Sequence, residues 1–289
     1  MTKPFKTPSS FRSSFPSSFG TLTRRAALPL VAALALAGCG SLGTTSSSSK
    51  PAGGADIHVM TSGGFTAAYN DLRPEFERST GRSVKTAYGA SMGNAEDSIP
   101  SRLARNEPAD VVILARPALD ALVAEGKVVP GSQVDLVRSA IGFAVRKGAP
   151  KPDISTVDAL KRTLIAAPSI AYSASASGTY YETELLKKLG IEDQVKPKSK
   201  RILSERVGSV VARGDAALGL QQVSELLPIA GIDYIGPLPA EVQRVTVFSA
   251  GIASASKQPD AARQLIRYLN SPAAAPTIAK TGLEPLTAR

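Results

Sequence analysis

Residues 57–81, IHVMTSGGFTAAYNDLRPEFERSTG, leave this chain few ways to fold. A short apolar run from Ile57 to Met60 leads into Thr61, Ser62, Gly63 and Gly64, after which Phe65, Ala68, Tyr69, Leu72 and Phe76 recur at helical spacing until Gly81. Strand, bare turn and helix in that order predict one βα unit of an open α/β sheet. In such a sheet the turn lies at the carboxyl end of the strand, where the following helix points its unpaired N–H groups and positive dipole end into a crevice. The turn either binds an anion there or is small only so that it can be tight.

The pattern returns along the chain. Residues 83–88 predict a second strand, and Gly89-Ala90-Ser91-Met92-Gly93-Asn94 a second bare turn leading into a helix. Residues 169–172 precede Ser173-Ala174-Ser175-Ala176-Ser177-Gly178 and a helix over 179–189, and residues 201–204 precede a helix over 205–213. Between these units Asp110 to Ala115, DVVILA, has the near-continuous apolar character of a strand buried on both faces, and Pro117 opens a helix that Gly126 stops. Ser155 and Asp158 resemble a capped helix start. Strands are predicted over 139–146, 217–222, 232–235 and 242–253, the last a candidate crossing between lobes, and helices over 259–269 and 272–280.

The chain has 289 residues, which suits one large α/β domain or two lobes, and the repeated units favour two. Its formal charge of +10 is partly a leader effect: Lys3, Lys6, Arg12, Arg24 and Arg25 precede residue 39 without an acidic residue, and removing them leaves +5. Without Trp, and without a basic run interleaved with aromatics, no nucleic-acid partner is expected. A single Cys and a single His exclude a Cys/His zinc site and an intrachain disulfide, so neither metal nor other cofactor is expected.

Residues 1–38 read as an export signal: a Ser-rich basic start, then an apolar run from Ala26 to Ala37 too short to span a bilayer comfortably. The run ends in Leu36-Ala37-Gly38-Cys39, which resembles a bacterial lipobox and makes Cys39 a lipidated first residue of the mature chain. Plain cleavage after Ala35-Leu36-Ala37 is the alternative. Thr23-Arg24-Arg25 lacks the Phe-Leu that a twin-arginine signal would add, which favours ordinary secretion. Residues 39–54, rich in Ser, Thr and Gly, form a tether, so the membrane is a partner only through the lipid.

Small hydroxyl-rich turns at helix starts, with no dense carboxylate or His cluster, describe a site that donates hydrogen bonds to an anion. Thr61, Ser62, Ser91, Ser175, Ser177 and Thr179 are the hydroxyl donors, although each serine alone also reads as a helix cap. His58 lies within a strand, which argues against a Ser-His-acid triad. No nucleophile elbow, P-loop or dinucleotide glycine pattern occurs in context. Arg73, Arg116 and Arg206 could hold a carboxylate, and Arg206 stands at the start of a helix that follows a turn.

Four stretches resemble the periplasmic molybdate-binding protein family of ABC-importer solute receptors: Tyr88-Gly89-Ala90-Ser91 with Gly93-Asn94; Glu107-Pro108-Ala109-Asp110-Val111; Ser177-Gly178-Thr179-Tyr180 with Lys188-Leu189-Gly190; and Arg206-Val207-Gly208 with Leu218-Gly219-Leu220. The resemblance implies a type II periplasmic binding protein fold, with two mostly parallel sheets flanked by helices and a hinge between lobes. It places lobe 1 at 55–137 and 251–289 and lobe 2 at 138–250. It also implies an importer permease as partner and a small anionic ligand held in the cleft by neutral donors. Carried over residue by residue, the family's first serine falls on Gly64, with Ser62 as a possible substitute, the second on Ser91, the later backbone donors on Ser177 and Val207, and its tyrosine on Gln222; Gly63, Gly178 and Arg206 complete the candidate ligand-binding set.

The Ser-Gly-Gly-Phe turn and the Gln221-Gln222 pair are also similar to a branch of this family that contains aconitate isomerase. That reading implies an enzyme that moves an allylic proton, with Tyr88, Tyr180, Glu182 and His58 as candidate catalytic residues.

Overall fold

Strand β3 (Val111–Ala115) is buried along its whole length, and its side chains divide between two cores. Val111, Ile113 and Ala115 join one hydrophobic cluster while Val112 and Leu114 join another, the alternation a pleated strand imposes when helices cover both faces. The structure, a computed structural model, describes residues 55–287. Residues 1–54, with the expected leader, Cys39 and tether, lie outside them.

Around β3 the chain runs β1 (Ile57–Ser62), α1 (Gly63–Thr80), β2 (Val84–Gly89) and α2 (Ile99–Ala104), and continues with α3 (Arg116–Ala124) and β4 (Val134–Ser139). It then enters β5 (Ile141–Arg146), α4 (Val157–Ala166), β6 (Ile170–Ser173) and α5 (Ala176–Tyr180), a π-helical turn at Tyr181–Leu185, α6 (Leu186–Lys188), α7 (Glu192–Val195) and β7 (Ser199–Ile202). Next come α8 (Val207–Arg213), β8 (Leu218–Gln222), α9 (Val223–Leu226) and β9 (Ile232–Pro237). The chain closes with β10 (Thr246–Ile252), α10 (Pro259–Leu269), α11 (Ala275–Lys280) and β11 (Glu284–Pro285).

The strands form two sheets, ordered β11-β4-β10-β3-β1-β2 and β7-β6-β8-β5-β9. Both are mixed rather than mostly parallel. β2-β1-β3 and β7-β6-β8 are parallel, whereas β10, β4 and β11 in one sheet and β5 and β9 in the other pair antiparallel. The parallel parts are built from βα units, and the antiparallel strands are the ones that cross between lobes or follow short connections.

Helix α1 shows how the sequence sets this arrangement. Phe65, Ala68, Tyr69, Leu72 and Phe76 are buried on one face, each large side chain contributing about 1.5–3 kcal/mol. Gly81 ends the helix at φ 68°, with its N–H donating to the Glu77 carbonyl.

Several expected elements move. The strand expected over 139–146 is the end of β4 and the whole of β5, which belong to different sheets, so the chain crosses at Ala140. The long strand expected over 242–253 starts only at Thr246, after a 3-10 turn at Ala240–Val242, and residues 243–245 make the return. The expected boundaries at 137/138 and 250/251 therefore fall inside β4 and β10. The cap of α4 is Thr156, whose Oγ1 accepts from the Ala159 N–H at 3.1 Å; Ser155 instead donates its N–H to Asp153. Strand β11 and helices α7 and α9 have no counterpart in the sequence reading, and β4 has none before Ser139.

Candidate functional site

The carboxyl ends of β1, β2, β6 and β8 converge on a cleft of about 440 Å³ between the two sheets. One wall carries Gly63, Thr66 and Asn70 of α1 with Tyr88, Gly89 and Ala90. The other carries residues 173–175 and 202–206 with Gln221 and Glu225. Among the hydrogen bonds that join the two sides are three close to the cleft: Ser91 N–H to Ser175 Oγ at 3.3 Å, Ser204 Oγ to Asp97 Oδ1 at 3.2 Å, and Ser224 Oγ to the Gly64 carbonyl at 2.7 Å. All three hold the lobes together.

The expected anion donors are brought to this region, and several of them already bond to neighbours. Ser91 Oγ accepts from the Ala115 N–H at 3.0 Å while its own N–H goes to Ser175. Ser177 Oγ shares a 3.1 Å bond with Ser173 Oγ. The Val207 N–H donates to Gln221 Oε1 at 3.0 Å, and Gln222 Nε2 donates to Thr246 Oγ1 at 3.0 Å. Gly178 packs so tightly on β6 that an added Cβ would stand 1.7 Å from the Ser173 carbonyl oxygen, so its role is close approach of helix to strand. Ser62 Oγ and Gln222 Oε1 are buried without a hydrogen-bond partner among the described residues.

Gly64, where the resemblance places the first serine, is walled in. A Cβ there would meet Phe248 Cζ at 2.1 Å. The Phe248 ring fills the space that a side chain at this position would take.

Arg206 lines the cleft from the N-cap of α8 and makes no ion pair among the described residues. Its guanidinium is free to hold a carboxylate in the bidentate manner. Arg116, by contrast, is spent on Asp120 at 2.8 Å and Asp135 at 2.7 Å.

Several residues of the site were not foreseen, among them Asn70, Asp97, Ser204 and Glu225. Glu225, on α9 directly after β8, is buried at 7% exposure yet lines the cleft. Its carboxylate lies against the first residue of α1, where a Cβ on Gly63 would come 1.6 Å from Oε1. Burial pushes the Glu225 carboxyl up to about 7, against the charge of Arg206 and the hydrogen bonding of the Gln221 side chain and Gln222 backbone. The signal was faint: an acidic residue three positions after a strand end, in a four-residue helix too short to register as periodic.

Of the four residues singled out for catalysis, Tyr88 alone lines the cleft, its hydroxyl donating to Asn70 Oδ1 at 2.7 Å. Tyr180 is buried in the second lobe, donates to the Val242 carbonyl at 2.7 Å and lies under the Arg244 guanidinium. Glu182 stands beside Tyr172, whose hydroxyl is pushed up by burial and by that neighbouring carboxylate. His58, in the first half of β1, lines a separate surface hollow of about 960 Å³, and its backbone N–H donates to Asp110 Oδ2 at 2.8 Å. Among the described residues no group of His, Cys, Asp and Glu gathers as a metal site, and no helix is long and apolar enough to cross a membrane.

The chain is 47% identical over 233 residues, 81% of its length and 89% of the relative's, to the aconitate isomerase of a Pseudomonas species. It is 28% identical over 240 residues to the molybdate-binding protein ModA of Azotobacter vinelandii, covering 79% of this chain and 89% of that one. The solved periplasmic molybdate-binding protein of Azotobacter vinelandii superposes with a TM-score of 0.65 at 20% sequence identity, over 81% of this chain and 100% of its own, which relates the folds. The profile of the bacterial extracellular solute-binding proteins matches residues 57–284, and with the strands, helices and interlobe cleft just described this chain belongs to that family.

Proposed function

We propose that this protein isomerises a small polycarboxylate, cis- or trans-aconitate, in the interlobe cleft, using a receptor scaffold as an enzyme. The observation that carries the reading is the state of the neutral donors. A tetrahedral dianion needs converging N–H and O–H donors, and here the N–H groups of Ser91 and Val207 already donate to protein, Ser177 Oγ shares a bond with Ser173 Oγ, and Phe248 occupies the space beside Gly64. What lines the cleft instead is the Arg206 guanidinium, which makes no ion pair among the described residues, the mutually bonded side chains of Asn70 and Tyr88, and the buried Glu225 carboxyl. This set suits a flat, extended acid with several carboxylates. The 47% identity to aconitate isomerase supports the same choice.

The reaction needs no cofactor: a proton leaves one carbon of the allylic system, the double bond moves over, and a proton returns at the far carbon. Membership of an extracellular family goes with export, and on this reading the mature chain begins at Cys39 and is tethered by its lipid. Family membership also favours a second reading, in which the chain delivers an unchanged organic acid to an importer permease.

Proton NMR of the purified mature chain with trans-aconitate separates the two. Conversion to the cis isomer at an enzymatic rate is the expected result, with no heat on calorimetric titration of molybdate. Tight one-to-one molybdate binding without aconitate conversion would overturn the proposal. Binding of aconitate without conversion would leave the receptor reading in its place.

A further inference from the structure

Within the isomerase reading, we infer that Glu225 is the residue that takes the proton from one carbon of the substrate and returns it to the other, with Arg206 anchoring a substrate carboxylate beside it. The inference rests on that reading and on the position of the side chain. Glu225 is the one carboxylate among the residues lining the cleft that is itself buried; Asp97 and Glu205 lie on the rim, the first accepting from Ser204 and the second paired with Arg213 at 2.9 Å. Its place is built. Gly63 leaves the space that Oε1 occupies at the start of α1, the Gln221 side chain and the Gln222 backbone supply hydrogen bonds, and Arg206 is the cation that faces it.

The chemistry requires little else. The Glu225 carboxylate removes a proton from the substrate methylene, and the C–H electron pair spreads over the allylic carbons and their carboxylates. The double bond shifts by one carbon, and the neutral Glu225 acid gives the proton to the opposite end. Bonds and charge balance with no oxidant, metal or further reactant. One acid–base group serves both ends, so both transfers take place on the same face of the substrate. Burial suits the task, because a group with an affinity for protons near neutrality both accepts and releases them readily. Burial, Arg206, Gln221 and Gln222 set this affinity, and the other titratable groups that line the cleft are Tyr88, Asp97 and Glu205.

The test compares wild type with Glu225→Gln for aconitate binding by calorimetry and turnover by proton NMR. The expected result is that kcat falls about 10²–10⁴-fold while aconitate still binds. Turnover by Glu225→Gln within a few-fold of wild type overturns the inference and leaves the isomerase reading standing. Absence of turnover in wild type overturns both. The pH profile of wild-type kcat supplies a second readout that requires no variant. It should rise with pH as Glu225 loses its proton and then level off, and a kcat constant over about two pH units either side of neutrality would exclude Glu225 as the base.

Discussion

Glu225 is held in surroundings that oppose its charge, and this makes it a stability element as well as a site residue. An unfolded chain ionises it near its ordinary value of 4.5, whereas the folded chain holds the proton to about 7. The folded state therefore binds more protons in that interval, and stability falls as pH rises from the lower value to the upper one. The loss is on the order of a few kcal/mol and is complete above the folded value. Glu225→Gln should lack it: denaturant unfolding should find the variant more stable than wild type at about pH 8 and equal to it at about pH 4. A variant no more stable than wild type at the higher pH would mean that the carboxylate is better solvated than its burial implies.

Among the helices, α4 offers the clearest separation of sequence signal from structure. Ser155 and Asp158 have the spacing of a cap and its partner, but Thr156 has the extended backbone of an N-cap and receives the Ala159 N–H. Thr156→Ala should cost about 1 kcal/mol in thermal or denaturant unfolding, and Ser155→Ala close to nothing. Long periodic elements were legible: α1, β3 and α10 lie where the apolar spacing places them, because burial of one face fixes both their period and their ends. Short ones were not. Helix α9 has four residues and β11 two, and such segments are held by tertiary contacts rather than by a pattern of their own. Glu225 was missed for that reason, since the element that aims it at the cleft has no signature. The turns after β1, β6 and β7 were legible as places, but whether their donors point to a ligand or to one another depends on partners remote in sequence, such as Ala115 for Ser91 and Gln221 for Val207.

The lobes of the whole molecule are joined by two short crossings, at Ala140 and over residues 243–245, and are held closed by side-chain bonds across the cleft. Buried among these is the bond from Ser224 Oγ to the Gly64 carbonyl at 2.7 Å. Ser224→Ala removes a bond worth about 1 kcal/mol in the closed form only, which shifts the balance toward open molecules about five-fold. Small-angle scattering of the ligand-free variant should give a larger mean radius of gyration than wild type, and aconitate should bind more weakly by a similar factor. An unchanged radius with unchanged affinity would mean that packing alone keeps the lobes together.

The void at Gly63 also constrains the order in which such a site can be assembled by mutation. A side chain at that position would meet Glu225 Oε1 at 1.6 Å, so the carboxylate would have to swing out of the place it holds beside α1. On a scaffold with a larger residue there, gaining the glutamate would add only a displaced charge, and gaining the glycine alone would add only a hole. The two positions are coupled across 162 residues of chain, so where the glutamate stands on this scaffold depends on the glycine.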